Sequence, residues 1–258
     1  MPHETEHVPP PSESRPSGEL SARAGARGVL AATSLALIAI PFSLLLLLVQ
    51  ARWAPLLKVD RGTGDTLHRY AVAHGGFVAV MQLISNFGSS VFWVVALTPV
   101  VAWLLWRRLP RMALFVVVTM AGSSLLNAVV KSSVHRLRPA LSDPVARAQG
   151  LSFPSAHAQA AMAGYAVLLL VFLPVLHGAW RRTGATLAVL AVLAIGFSRI
   201  ALGVHYVSDV VAGIVLGAAW FAAMAAAFNV MGADRERRAH VTAPRSDSSQ
   251  GLGGKAGV

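Results

Sequence analysis

Apolar runs long enough to cross a bilayer leave a chain few choices of fold, and this one has six of them, at about 28–49, 89–106, 112–130, 158–176, 186–202 and 206–231. A membrane-spanning helix needs about 20 largely apolar residues. With no water in the hydrocarbon core, every backbone N–H and C=O must find its partner inside the protein, and a helix pairs them within its own segment. The sequence therefore predicts an all-α fold, a polytopic bundle of six transmembrane helices over residues 28–231. Composition agrees: 55% of the residues are apolar and 13% charged, against about a quarter charged in ordinary soluble domains.

Residues 1–27 are rich in Pro, Ser, Glu and Arg and carry no apolar periodicity, so a disordered tail is expected there. The same reading applies to 232–258. The first run is too long for a signal-peptide core, and no small-residue cleavage site follows in Gln50-Ala51-Arg52-Trp53, which reads as a retained anchor. Residues 60–86 mix polar positions with an apolar face and contain Gly75-Gly76; a connection with interfacial or partly inserted helix is expected.

Six spans put both termini on one side. Arg107, Arg108, Arg111, Arg181, Arg182 and the arginines of both tails then share that side, which the positive-inside rule makes cytoplasmic. The expected location is the plasma membrane, with 131–155 and 203–205 facing outward. That outward loop is also basic, carrying Lys131, Arg136, Arg138 and Arg147. A site for an anion would explain the broken asymmetry.

The net charge of +11 does not point to nucleic acid, because the arginines sit in short clusters between apolar runs and form no single stripe. Cysteine is absent, which removes disulfides, thiolate metal sites and a cysteine nucleophile. Carboxylates are scarce too. From the first apolar run to the end of the last, only the carboxylates Asp60, Asp65, Asp143 and Asp209 occur, too few for a two-metal phosphoryl-transfer site. No metal and no cofactor is expected.

Three short constellations fall at the outward ends of the expected spans. The first is Lys131, six residues, then Arg138-Pro139. Alone it reads as a snorkelling lysine and a basic loop; together, a point charge and a planar fork can grip phosphate oxygens from two directions. The second is Pro154-Ser155-Ala156-His157, at the start of the fourth span. Ser155 alone could simply be a helix N-cap, yet a helix N-terminus with an added hydroxyl also suits an anion. The third is Ser198-Arg199, five residues, His205, three residues, Asp209. If the last helix begins near His205, these two are i and i+4 on one face. Asp209 accepting one ring N–H would then leave the other nitrogen free to attack phosphorus. At average residue usage, matches at these spacings arise by chance at about one in 10^13 per placement.

In this order the motifs resemble the three-part signature of the type 2 phosphatidic acid phosphatase family, over a core of about 29–231. The resemblance implies a membrane phosphatase with His205 as nucleophile forming a phosphohistidine, Asp209 as its orienting partner and His157 as general acid. It implies Lys131, Arg138, Arg199, Ser155 and the backbone N–H of Ala156 as the phosphate cradle. The family usually has glycine where this chain has Ala156; alanine adds a methyl but keeps the N–H. The expected reaction is metal-independent hydrolysis of a lipid phosphate or pyrophosphate. Polyprenyl (undecaprenyl) pyrophosphate is favoured by analogy with small bacterial members, with phosphatidic acid and phosphatidylglycerol phosphate also compatible. Two other classes share the cradle. Vanadate-dependent haloperoxidases have a related fold but are soluble, against the spans here. A lipid-phosphate binding or transport protein would need no acid and nucleophile in line, against the pair His157 and His205.

Overall fold

The computed structural model describes residues 39–242, with side chains described to residue 228. The expected tail at 1–27, the beginning of the first run and residues 243–258 lie outside the described residues. Within the described residues eight helices follow in order: α1 (Ala39–Gln50), α2 (Ala54–Ala73), α3 (Gly75–Asn86), α4 (Ser90–Trp106), α5 (Pro110–Val134), α6 (Ala156–Phe172), α7 (Ala179–Ala201) and α8 (Val207–Thr242). No strand occurs among the described residues. Helix α8 runs past the Gly232 boundary expected for the last span.

Among the described residues three helices are long and apolar enough to cross a membrane: α5, α7 and the Val207–Phe228 part of α8. The count rises to five if the bent pairs α1–α2 and α3–α4 each make one span, while α6 is apolar but only 17 residues long. The chain is a multi-pass membrane protein.

Local chemistry sets the breaks between helices. Proline stands in the first turn of α2 and of α5, where its missing N–H costs nothing. Ser89 caps α4 by accepting from the Phe92 N–H at 3.1 Å. Two non-glycine residues in left-handed backbone, Arg52 and His135, end α1 and α5. The 87° bend between α1 and α2 turns the chain sideways at the end of the bundle. Residues 60–86, expected as a connection with interfacial or partly inserted helix, lie almost wholly in α2 and α3. Each has a buried edge, with Asp60, His68 and Ala71 on α2 and Met81 and Ser85 on α3.

Helix α6 is the hub, packing on α5, α7 and most extensively on α8. A Cβ on Gly213 or Gly217 of α8 would lie 2.5 Å from the Ser155 carbonyl or 2.7 Å from the Gln159 carbonyl. Only glycine there lets α8 press against the start of α6. The apolar core between α4, α5 and α6 holds Leu97, Leu104, Phe115, Val116, Val167 and Val171. At one end of this bundle the last turns of α5 and α7 meet the first turns of α6 and α8. The start of α4 reaches the same end, since a Cβ on Gly88 would lie 3.3 Å from the His157 carbonyl. At the opposite end Arg111, at the start of α5, donates to the Phe228 carbonyl of α8 at 3.2 Å.

Candidate active site

Each motif residue reaches this end by its own route. Lys131 sits on the last turn of α5, and the left-handed His135 that follows directs the chain into the loop 135–155. The Ser152 N–H bonds the Arg136 carbonyl at 2.8 Å, and the Ser155 N–H bonds the Asp209 carbonyl at 2.9 Å. The start of α6 is thereby pinned to the first turn of α8. Ser155 occupies the N-cap position of α6, but its side chain makes no capping hydrogen bond. Ala156 is the first helical residue, so its N–H has no partner within the helix. Arg199 closes α7, and Gly203, at φ +67°, makes the tight turn that presents His205. The Val204 and His205 N–H groups both point back to the Arg199 carbonyl, at 3.2 and 3.3 Å.

His205 does not lie on the helix that carries Asp209. Helix α8 begins at Val207, so the expected i, i+4 pairing on one helical face is replaced by a turn residue facing the first helical turn. Its Nδ1 is 3.5 Å from Asp209 Oδ2 and 3.4 Å from Ser152 Oγ. Its Nε2 is 3.1 Å from Arg138 Nη1. A guanidinium nitrogen can only donate, so Nε2 is the acceptor and the ring proton belongs on Nδ1, toward Asp209 and Ser152. Burial in this setting pushes the His205 pKa down to about 4, against the opposing pull of Asp209. The imidazole is neutral with a lone pair on Nε2.

Asp209 is fully buried and both oxygens are engaged. Oδ2 accepts from Ser152 Oγ and from the Tyr206 N–H at 2.9 Å, while Oδ1 accepts from Arg136 Nη1 at 2.6 Å. Arg138 is held by backbone carbonyls: Nε donates to Gly150 and Nη2 to Gln149, each at 3.0 Å, and Nη1 to Val204 at 2.7 Å. Arg199 donates from Nη1 to Ser85 Oγ of α3 at 2.5 Å. His157 lies within electrostatic reach of Arg199, His205, Lys131 and Arg138. All eight residues singled out in the sequence therefore gather at one end of the bundle.

Two features of this cluster point to an anion. Among the described residues Lys131, Arg138 and Arg199 form no ion pair, the two buried carboxylates being matched to Arg136 instead. Ser155 Oγ and Arg199 Nε are buried without a hydrogen-bond partner among the described residues, an arrangement that costs free energy unless a ligand supplies the missing partner. Beside His205 opens a cavity of about 300 Å³, lined by Arg61, Pro139, Leu141, Gly203 and Tyr206 among others. No group of three His, Asp or Glu side chains able to hold a metal converges among the described residues.

Ser152, Arg136, Asp60, Ser208 and Ser85 were not singled out by their spacing. Arg136 was visible as an unexplained outward charge, and Asp60 as one of the few carboxylates between the apolar runs. The serines carried no signal.

The PAP2 superfamily pattern matches residues 112–231, which include all eight motif residues. The chain is 33% identical to phosphatidylglycerophosphatase B of Bacillus subtilis over 141 residues, covering 54% of this chain and 68% of that protein. It is 37% identical to the decaprenylphosphoryl-5-phosphoribose phosphatase of Mycobacterium tuberculosis over 151 residues, 55% of this chain and 76% of that one. The chain belongs to the PAP2 superfamily. The undecaprenyl-diphosphatase of Sulfolobus acidocaldarius is 27% identical over 186 residues, 67% of this chain and 84% of that one. The crystal structure of a transmembrane PAP2-type phosphatidylglycerolphosphate phosphatase from Bacillus subtilis superposes with a TM-score of 0.64 at 26% identity, over 76% of this chain and 96% of that one. The resemblance seen in the motifs is thus a family membership, and phosphate hydrolysis is the chemistry of this enzyme.

Proposed function

We propose that this PAP2 enzyme hydrolyses a lipid phosphate or diphosphate through a phosphohistidine on His205. The observation that carries the reading is the pairing of a neutral His205, its Nε2 turned to the cationic cluster, with the unpartnered Ser155 Oγ and Arg199 Nε. A phosphoryl group set among Lys131, Arg138, Arg199, Ser155 and the Ala156 N–H would meet donors aimed at the charge that develops on its oxygens. Arg138 Nη1 then exchanges His205 Nε2 for a phosphate oxygen. His205 Nε2 attacks phosphorus in line, the ester bond to the leaving oxygen breaks, and His157 protonates that oxygen. Asp209 and Ser152 hold the Nδ1 proton as the ring becomes cationic. Water, deprotonated by His157, then cleaves the phosphorus–nitrogen bond and releases phosphate.

The membrane arrangement we infer has six spans, α1, α4, α5, α6, α7 and α8, with α2 and α3 at the outward surface and both termini cytoplasmic in the plasma membrane. Arg107, Arg108, Arg181 and Arg182 stand at the end of the bundle away from His205, which fits the positive-inside rule. As the protein lacks cysteine, single introduced cysteines test the orientation. In intact cells Val145→Cys is expected to react with an impermeant thiol reagent and Ala179→Cys to stay unlabelled; the reverse pattern refutes an outward site.

Of the four similar proteins above, two are named for polyprenyl-linked substrates and two for phosphatidylglycerophosphate; by analogy with small bacterial members, a polyprenyl phosphate or diphosphate is the substrate class we favour. The experiment is competition between undecaprenyl diphosphate, decaprenylphosphoryl-5-phosphoribose, phosphatidylglycerophosphate and phosphatidic acid for the purified protein in detergent with excess chelator. Phosphate release is expected to persist, to be inhibited by vanadate, and to favour the polyprenyl lipids. Loss on chelation with recovery on adding magnesium would defeat the mechanism.

A further inference from the structure

Behind Asp209, on the side away from His205, the structure holds a second buried carboxylate that the phosphoryl-transfer scheme leaves unused. Asp60 of α2 has no exposed surface, and the side chain of Arg136 is 12% exposed. Arg136 stands between the two acids, giving Nη2 to Asp60 Oδ2 at 2.7 Å and Nη1 to Asp209 Oδ1 at 2.6 Å. Ser208, next to Asp209 in the chain, ties the group together. It donates its N–H to Asp60 Oδ1 at 2.9 Å and its hydroxyl to Asp60 Oδ2 at 2.6 Å, and accepts from Arg136 Nη1 at 2.7 Å. The Tyr206 ring covers the guanidinium at 4.3 Å. A carboxylate buried this deeply is costly to keep ionised without partners. A surface helix needing only to dock could do so with apolar residues.

We propose that Asp60 and Arg136 are positioning residues, a charge bridge by which α2 fixes the orientation and the basicity of Asp209 and, through it, of His205. The proposal rests on the assignment of His205 and Asp209 made above. One guanidinium shared by two carboxylates gives Asp209 only part of its charge. Asp209 is therefore held in place while remaining negative enough to favour a cationic ring on His205. The other charged and titratable groups around the pair are Lys131 of α5, Arg138 of the loop, His157 of α6, Arg199 of α7, Tyr206 just before α8 and, lining the cavity beside His205, Arg61 and Asp65 of α2. They are the same in every variant below.

Opposite changes at the bridge must then act in opposite directions. In Asp60→Asn the amide is isosteric, the full charge of Arg136 falls on Asp209, and a protonated His205 is disfavoured. In Arg136→Gln a positive charge is lost and protonated His205 is favoured. Attack requires neutral His205, so the acid limb of the kcat/KM pH profile reports this balance. With one phosphate monoester whose own ionisation is measured separately, we expect Asp60→Asn to move the limb down and Arg136→Gln to move it up, each by roughly half to one pH unit. The double variant removes one charge of each sign and is expected to fall between them. A purely structural staple would lower activity or melting temperature without opposed shifts. Limbs that move together, or not at all, overturn the proposal. If Arg136→Gln leaves two uncompensated carboxylates and fails to yield monodisperse protein, Asp60→Asn decides alone: a downward shift supports the bridge and an unmoved limb refutes it. His205→Ala separates this from the underlying mechanism. Retained activity there sinks the nucleophile assignment, whereas a dead His205→Ala beside unshifted limbs sinks only the bridge.

Discussion

Toward the end of the bundle that carries Arg111, the space between helices is filled by Leu97, Leu104, Phe115, Val116 and Val171. There the Phe115 ring meets Phe228 edge-on at 5.3 Å. At the other end the buried polar side chains include Asp60, Ser152, Ser155, Ser198, His205, Ser208 and Asp209, and Asp60, His205, Ser208 and Asp209 are joined to Arg136 or Arg138 by directed hydrogen bonds. The contact between apolar side chains is non-directional, so many shapes of similar volume can fill it. Each polar partner has one acceptable position, because an unpaired charge or hydroxyl in a low-dielectric setting is expensive. Damage to the two ends should therefore differ in kind, chemistry at one and stability at the other.

The largest contrast comes from His205→Ala, which removes the attacking nitrogen; phosphate release is expected to fall to background with every substrate, and no acid-labile radiolabel to appear after rapid quenching. Label on that variant would show that another group takes the phosphoryl. Next is His157→Ala, with a loss of about 10^2 to 10^4-fold on a lipid alkyl phosphate and a smaller loss in the phosphorylation step with a nitrophenyl ester, whose leaving group needs no proton. This variant is expected to accumulate phosphohistidine, and equal losses on both substrates would count against a general acid. Ser155→Ala sharpens the comparison further. Its hydroxyl has no partner among the described residues, so kcat/KM should drop by about tenfold or more while the melting temperature in detergent stays level or rises. Smallest is Phe115→Leu at the apolar end, costing about 1 kcal/mol of stability with specific activity unchanged. An activity loss there would mean that the apolar end reports to the chemistry.

The motif residues were legible because each belongs to a short segment whose spacing survives any packing: Lys131 to Pro139, Pro154 to His157, and Ser198 to Asp209. The apolar runs were legible for a similar reason, since length and composition alone suit them to a membrane. What misled was the relation of His205 to Asp209. A separation of four residues reads as one helical turn, but Gly203 and the shared Arg199 carbonyl hold His205 in a turn that stops before α8 begins. The segment 60–86 hid its role because Asp60 and Ser85 look like ordinary polar positions on a half-apolar helix. Only the 87° bend after α1 and the docking of α2 and α3 against α7 and α8 reveal them as partners of Arg136 and Arg199.

By itself the sequence determined that this protein is a helical membrane bundle carrying cations, histidines and a carboxylate in a phosphatase pattern, because hydropathy and short-range spacing are local properties of a chain. Tertiary structure decided which ring nitrogen is free, which carboxylate oxygen faces which donor, and that Arg136 divides its charge between Asp60 and Asp209. Those are relations among residues as much as 149 positions apart, as with Asp60 and Asp209. Hydrogen bonds and charge pairs act over a few ångströms of space, and chain distance does not enter their energy.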